Sequence, residues 1–296
     1  SSSMNLGRVI TAMITPFDEN GQVDWDACGN LIEHLVRHGT DALVVSGTTG
    51  ESPTLSDEER LELFRFAVEK MRGRGPVLAG VGTNNTEKTI WLSREAAKCG
   101  VDGLMLVLPY YNRPSQEGLY QHFKAVASNI DLPIMLYNIP GRTGVNMTPE
   151  TLRRLMALDN IVAMKEASGD LTQMTRMLNA TDGKITLYSG DDKLTLPVLS
   201  IGGHGVVSVA SHVVGDEMQQ MIRAFEEGRV QEAARLHQQM LELFEVLFIT
   251  NSPAPLKFLL NHLGIKAGSV RLPLAEVSSA EADAIVRVYQ NFRQNV

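Results

Sequence analysis

The chain has 296 residues, 44% of them hydrophobic and 21% charged, a composition that excludes a disordered chain. No stretch of about 18 uninterrupted apolar residues occurs, which excludes a multi-span membrane protein. The net charge is −7, from 27 Lys and Arg against 34 Asp and Glu; no Lys/Arg block is present, so no nucleic-acid partner is expected.

Length fits two domains, or one (β/α)8 barrel of about 250 residues with an appendage. Cys28 and Cys99 are the two cysteines. They are too few for a disulfide framework or a cysteine zinc site. Both sit in amphipathic patterns that read as buried thiols, and a reducing, cytoplasmic setting is the default expectation. No signal peptide is recognised. Ser1, Ser2 and Ser3 before Met4 read as a remnant appended by expression and are set aside.

Short apolar runs alternate with helical patterns from the start. The runs are Val9–Ile14, Ala42–Val45, Val77–Val81, Gly103–Leu108, Pro133–Tyr137, Ile161–Met164, Ile185–Tyr188 and Gly205–Val209. They lack strict polar alternation, which is how strands buried on both faces read. Between them, helices are predicted at Asp24–His38, Ser56–Arg72, Thr86–Cys99, Ser115–Ser128 and Thr148–Leu158. Ser56 and Glu59 have the spacing of a capping box, Gly100 follows a helix end, and Pro149 falls in a first turn. Strands alternating with helices argue for a parallel sheet, and eight such units suggest closure into a TIM barrel; an open doubly wound sheet is the alternative. After about Gly215 the alternation stops. Helices are predicted at Asp216–Glu227, Val230–Thr250, Pro255–Leu263 and Ser279–Gln294. The resulting division is residues 1–3 as remnant, 4–228 as an α/β catalytic barrel and 229–296 as a small C-terminal helical region.

A parallel barrel carries its active site at the C-terminal strand ends. The second run ends in Ser46-Gly47-Thr48-Thr49-Gly50-Glu51, a loop of small residues and hydroxyls suited to an anion, or simply a tight turn. The fourth ends in Tyr110-Tyr111-Asn112, and the fifth in Tyr137-Asn138-Ile139-Pro140-Gly141-Arg142. These tyrosines form either a hydroxyl relay or rim packing. The sixth leads into Lys165-Glu166-Ala167-Ser168. A lysine at the end of a buried strand is partly desolvated, which lowers its pKa and frees a neutral amine to form a Schiff base. The alternative is a lysine that snorkels to solvent.

Three weaker signals are discounted. Glu33-His34 with His38 has helical spacing but no third ligand, so no metal is expected. Gly80-Val81-Gly82 lacks the third glycine of a dinucleotide fingerprint, with Asn85 in its place. Gly202-Gly203-His204-Gly205 precedes a strand and reads as a tight entry into it.

The motifs Gly47-Thr48-Thr49-Gly50-Glu51, Tyr137 through Gly144 and Lys165-Glu166-Ala167-Ser168 closely resemble the dihydrodipicolinate synthase family. That family belongs to the pyruvate-dependent class I aldolases, with N-acetylneuraminate lyase. The resemblance spans the chain from Met4. It implies condensation of pyruvate with aspartate semialdehyde to 4-hydroxy-tetrahydrodipicolinate, toward diaminopimelate and lysine, without metal or dissociable cofactor. It implies Lys165 as the Schiff-base lysine, Tyr137 as proton shuttle, Thr48 as a link to Tyr111, and a Tyr111 supplied by a neighbouring subunit. Thr48 and Thr49 would hold the pyruvate carboxylate, Arg142 the semialdehyde carboxylate, and Gly190 and Val207 would line the site. A homo-oligomer is implied, a dimer of dimers or a dimer. The alternative within the superfamily is a sialic-acid or sugar-acid lyase; Arg142 and the Gly-Thr-Thr start argue for the synthase. Ser52, Asn84, Lys88 and Tyr110 correspond to an allosteric lysine site. Lys88 stands where many members carry glutamate, so weak or absent lysine inhibition is expected.

Overall fold

Eight parallel strands pair in chain order and close, β8 returning to β1. They are β1 (Val9–Ala12), β2 (Ala42–Val45), β3 (Val77–Gly80), β4 (Gly103–Val107), β5 (Ile134–Asn138), β6 (Ile161–Glu166), β7 (Thr186–Ser189) and β8 (Gly205–Ser208). The computed structural model describes residues 5–296; the remnant expected at Ser1–Ser3 lies outside them. The closed barrel is the predicted (β/α)8 fold, and the open sheet is excluded.

Helices α1 (Trp25–Arg37), α2 (Asp57–Met71), α3 (Thr86–Lys98) and α4 (Gln116–Ser128) follow the first four strands. Their starts are written locally. Asp24, Asn85 and Ser115 each accept a first-turn N–H, and Ser56 with Glu59 forms the complete capping box. A short α5 (Pro140–Thr143) and α6 (Pro149–Leu155) follow β5. Then come α7 (Leu171–Ala180), α8 (Thr195–Ser200) and α9 (Ser211–Glu226). Helix α9 starts five residues before the predicted Asp216 and kinks at Val214. Beyond the barrel lie α10 (Val230–Val246), α11 (Ala254–His262) and α12 (Ser279–Asn295). Among the described residues no helix is long and apolar enough to cross a membrane.

The strand period of two separates two cores. Ile10, Ala12, Val44, Leu78, Met105, Met135, Tyr137, Ala163, Tyr188 and Val207 pack inside the barrel. Val9, Leu43, Leu104, Leu136, Met164 and Leu187 pack outward against the helices. The apolar runs carry no alternation because both faces are buried. Strand β6 runs two residues past the predicted Met164 and takes in Lys165 and Glu166. Lys165 falls on the same face as Ala163, the barrel interior. Glu166 falls on the outer face. It is held by Asn138 at 3.1 Å and Gln173 at 3.3 Å, and accepts the Ser168 N–H at 2.8 Å.

The discounted motifs have structural explanations. Gly80 stands against the loop after β2: a methyl group on it would lie 2.7 Å from the Ser46 carbonyl oxygen. On Gly82 it would lie 2.4 Å from the Val107 nitrogen. These glycines permit close backbone approach. His34 Nε2 lies 2.7 Å from the His212 carbonyl, and His38 Nδ1 lies 2.8 Å from Asp216. Gly202 has φ +107 and turns the chain into β8.

Candidate active site

A cavity of about 490 Å³ opens at the C-terminal strand ends. Thr48, Thr49, Tyr137, Arg142, Lys165, Gly190 and Val207 all line it. Seven residues from five separate stretches of sequence therefore share one cavity. Tyr111 is not among the lining residues; its side chain is 89% exposed. Its backbone has φ +75, unusual for a bulky residue, and its N–H donates to the Thr143 carbonyl at 3.3 Å. Asn112 and Asn84 brace the same loop, with Asn112 donating to Asn84 O and Asn84 to Tyr110 O.

Lys165 and Tyr137 are register partners on neighbouring strands. The Lys165 Nζ stands 3.8 Å from the Tyr137 ring centroid. Lys165 is buried at 6% exposure. Burial pulls its pKa down to about 7, with Arg142 adding to the fall and Asp192 opposing it. An amine that would be almost wholly protonated in water is thus about half neutral near pH 7. Tyr137 is pushed the other way, to about 12, chiefly by burial. Its phenol stays protonated at neutral pH and is available to donate to a developing oxyanion or nitrogen.

Gly190 is required by crowding. A methyl group there would lie 2.8 Å from Ala167 Cβ and 3.2 Å from Lys165 Cγ. The next two residues, Asp191 and Asp192, also line the cavity. They are not among the site residues expected from the sequence, although two acids one residue beyond a buried strand are a visible signal. Asp192 is fully enclosed and accepts from Ser208 Oγ at 2.5 Å, Ala210 N at 2.8 Å and Val209 N at 3.1 Å. Burial raises its pKa to about 6 against these bonds. At pH 7 it remains largely ionised and supplies negative potential to the Lys165 side of the cavity.

The C-terminal region also reaches the cavity. Phe244 and Glu245 of α10, with Phe248 and Ser252 after it, form one wall. Nothing in their amphipathic pattern distinguished a cavity wall from ordinary packing. Of the expected allosteric residues, Asn84 and Tyr110 share the braced loop just described. Lys88 pairs with Asp57 at 2.5 Å and lies 4.7 Å from the Trp91 ring centroid. Ser52 begins a single 3-10 turn after Glu51.

A buried, half-neutral lysine inside a parallel barrel, a phenol against it and a cationic arm at the rim are the parts of a Schiff-base site. The comparisons agree with that reading. A protein of Oceanobacillus iheyensis named 4-hydroxy-tetrahydrodipicolinate synthase is 50% identical over 292 residues, 99% of each chain. A dihydrodipicolinate synthase structure from Bacillus anthracis superposes with a TM-score of 0.96 at 48% identity, covering 97% of this chain and 99% of that one. A second, from Cyanidioschyzon merolae with lysine bound, gives 0.95 at 48% identity, covering 97% and 98%. The profile of the dihydrodipicolinate synthetase family matches residues 5–291, nearly the whole described chain, and with that the chain belongs to this family.

Proposed function

We propose that the chain condenses pyruvate with L-aspartate semialdehyde to give 4-hydroxy-tetrahydrodipicolinate. The observation that carries this is Lys165: buried inside the barrel, depressed to about 7 and set against Tyr137. The neutral amine attacks the pyruvate carbonyl carbon. Loss of water leaves an imine, a better electron sink than the ketone, so a methyl proton is lost more easily. The resulting enamine attacks the aldehyde carbon and forms the new C–C bond. The amino group of the adduct then attacks the imine carbon, closes the ring and releases Lys165. Each step moves a proton, which suits the Tyr137 phenol and the Thr48 hydroxyl, both lining the cavity.

Thr48 and Thr49 are the seat of the pyruvate carboxylate in this reading, and the planar fork of Arg142 receives the carboxylate of the semialdehyde. Arg142 favours the synthase over a sugar-acid lyase, whose substrate has hydroxyls in that region. Tyr111, turned out to solvent in the single chain, completes the relay from a second copy, so the working unit is a homo-oligomer. By the family resemblance Lys88 belongs with Asn84, Tyr110 and Ser52 to an allosteric lysine site, where its cation would repel the inhibitor, and lysine inhibition is accordingly weak or absent.

Borohydride reduction in the presence of pyruvate tests the chemistry. It adds a pyruvate-sized mass at Lys165, and Lys165→Ala abolishes the adduct. An unmodified Lys165 after reduction overturns the Schiff-base reading. A coupled assay with pyruvate and aspartate semialdehyde then separates synthase from lyase.

A further inference from the structure

The Thr48–Thr49 loop is bracketed by two non-glycine residues with left-handed backbone, Ser46 at φ 61 and Glu51 at φ 61. Such conformations persist where surrounding contacts over-determine them. Here each bracket is tied to a buried cation. Arg60 donates from Nε to Ser46 Oγ at 3.0 Å and from Nη2 to the Gly80 carbonyl at 2.6 Å. At the other end Lys257 of α11 donates to Glu51 Oε2 at 2.7 Å.

Lys257 does more than neutralise Glu51. Its two remaining protons go to the carbonyls of Thr15 at 2.7 Å and Ser269 at 2.8 Å. Thr15 in turn donates its hydroxyl to the Gly50 carbonyl at 2.7 Å. The other oxygen of Glu51 accepts the Arg271 N–H at 2.9 Å. One ammonium thus grips the loop twice, through the Glu51 side chain and through Thr15 onto Gly50. Lys257 and Glu51 are each 2% exposed, and neither lines the active-site cavity. A buried ion pair is weak support for stability, because desolvation offsets the attraction. Its value lies in where it fixes its groups. The bonds from Lys257 to Glu51, from Arg271 to Glu51 and from Thr15 to Gly50 converge on the residue pair directly behind the two threonines.

We propose that the Glu51–Lys257 pair is a positioning device. It holds the Thr48–Thr49 loop in the shape that receives the carboxylate of a 2-oxo acid, and so makes the C-terminal region part of the substrate site. The proposal rests on the reading of that loop as the carboxylate seat. Neither residue touches substrate; they act through Gly50 and the backbone before it. Misplacement of a binding group by about 1 Å is enough to lose on the order of a hundredfold in reactivity.

The test uses the full chain and two carbonyl probes. Pyruvate carries a carboxylate and propanal does not; both form an imine with Lys165. Cyanoborohydride trapping, read by peptide mass at Lys165, reports each. The double variant Glu51→Gln with Lys257→Met removes both charges together, so no unpaired charge is left buried. The half-saturating pyruvate concentration is expected to rise at least tenfold, with propanal trapping at Lys165 within twofold of wild type. Pyruvate within twofold of wild type overturns the proposal. So does a matched loss of both probes, since that is general loosening of the site. Failure of the wild-type chain to trap pyruvate at all would instead sink the functional reading. If the double variant does not fold, Thr15→Val breaks the link to Gly50 and leaves both charges in place. It is expected to raise the pyruvate requirement at least threefold with propanal unchanged; no change in either probe overturns the proposal.

Discussion

Lys165 shows what one side chain surrenders to be reactive. Its pKa near 7 means that burial disfavours the ammonium by several kcal/mol relative to water, at about 1.4 kcal/mol for each pKa unit. Two outcomes follow. Below pH 7 the rate of imine formation with pyruvate should fall about tenfold per pH unit, and above it should level off, because only the neutral amine attacks. A flat profile from pH 5.5 to 8.5 in stopped-flow trapping would remove the half-neutral lysine from the mechanism. The folded pKa lies below the unfolded one, so at pH 7 the unfolded chain binds the extra proton and this group opposes folding. Lys165→Met should therefore be inactive yet more stable by roughly 1–4 kcal/mol, read by urea unfolding. At the proposed allosteric position, submillimolar inhibition by lysine in a steady-state assay would refute the role given to Lys88. Lys165 was legible because a lysine ending an apolar run is rare. Asp192 was not, because its importance lies in three bonds to residues 16 to 18 positions later.

At the scale of elements, the strands were the most legible, since burial on both faces writes continuous apolar runs. The end of β6 was placed at Met164 because two charged residues follow; Lys165 and Glu166 continue the strand because one enters the cavity and the other is capped by amides. Helices α7 and α8 are not among the helices that the sequence pattern predicts. Helix α7 is rich in Thr, Gln and Asn, and α8 spans only Thr195–Ser200. Helix α9 carries a buried histidine. His212 accepts the Ile14 N–H on Nε2 at 3.2 Å, and its Nδ1 lies 2.7 Å from the Val209 carbonyl. Accepting the Ile14 N–H requires the neutral ring, whereas the Nδ1–H bond to Val209 survives protonation and opposes the shift; burial outweighs it and lowers the pKa of His212 to about 4. The unfolded chain therefore binds the proton first, and this stabilising contribution is lost as pH falls from about 6.5 toward 4. Asp192, with its raised pKa, works in the opposite sense over part of that range. His212→Gln isolates the histidine: it should cost about 1–3 kcal/mol at pH 7, and the gap to wild type should narrow toward pH 4.5. A gap that stays constant in denaturant titrations would remove His212 as the acid-sensitive group.

At the scale of the molecule, the proposed relay assigns Tyr111, exposed and on left-handed backbone, to the site of a second copy. Tyr111→Phe keeps the ring and removes the hydroxyl. It should leave the sedimentation coefficient unchanged and reduce kcat at least tenfold; unchanged kcat would exclude it from the relay. The barrel itself was legible from eight repeated units. The Glu51–Lys257 contact that ties the C-terminal helices to it was not, because the two residues stand 206 positions apart and no local pattern links them. That separation also sets a schedule for synthesis. Strand β1 has no second neighbour until β8 emerges from the ribosome, and Glu51 has no counter-ion until Lys257 does. A nascent chain bearing every barrel strand still lacks the Lys257 bonds to Glu51 and Thr15, so the proposed positioning of the Thr48–Thr49 loop stays incomplete until nearly the whole chain is made.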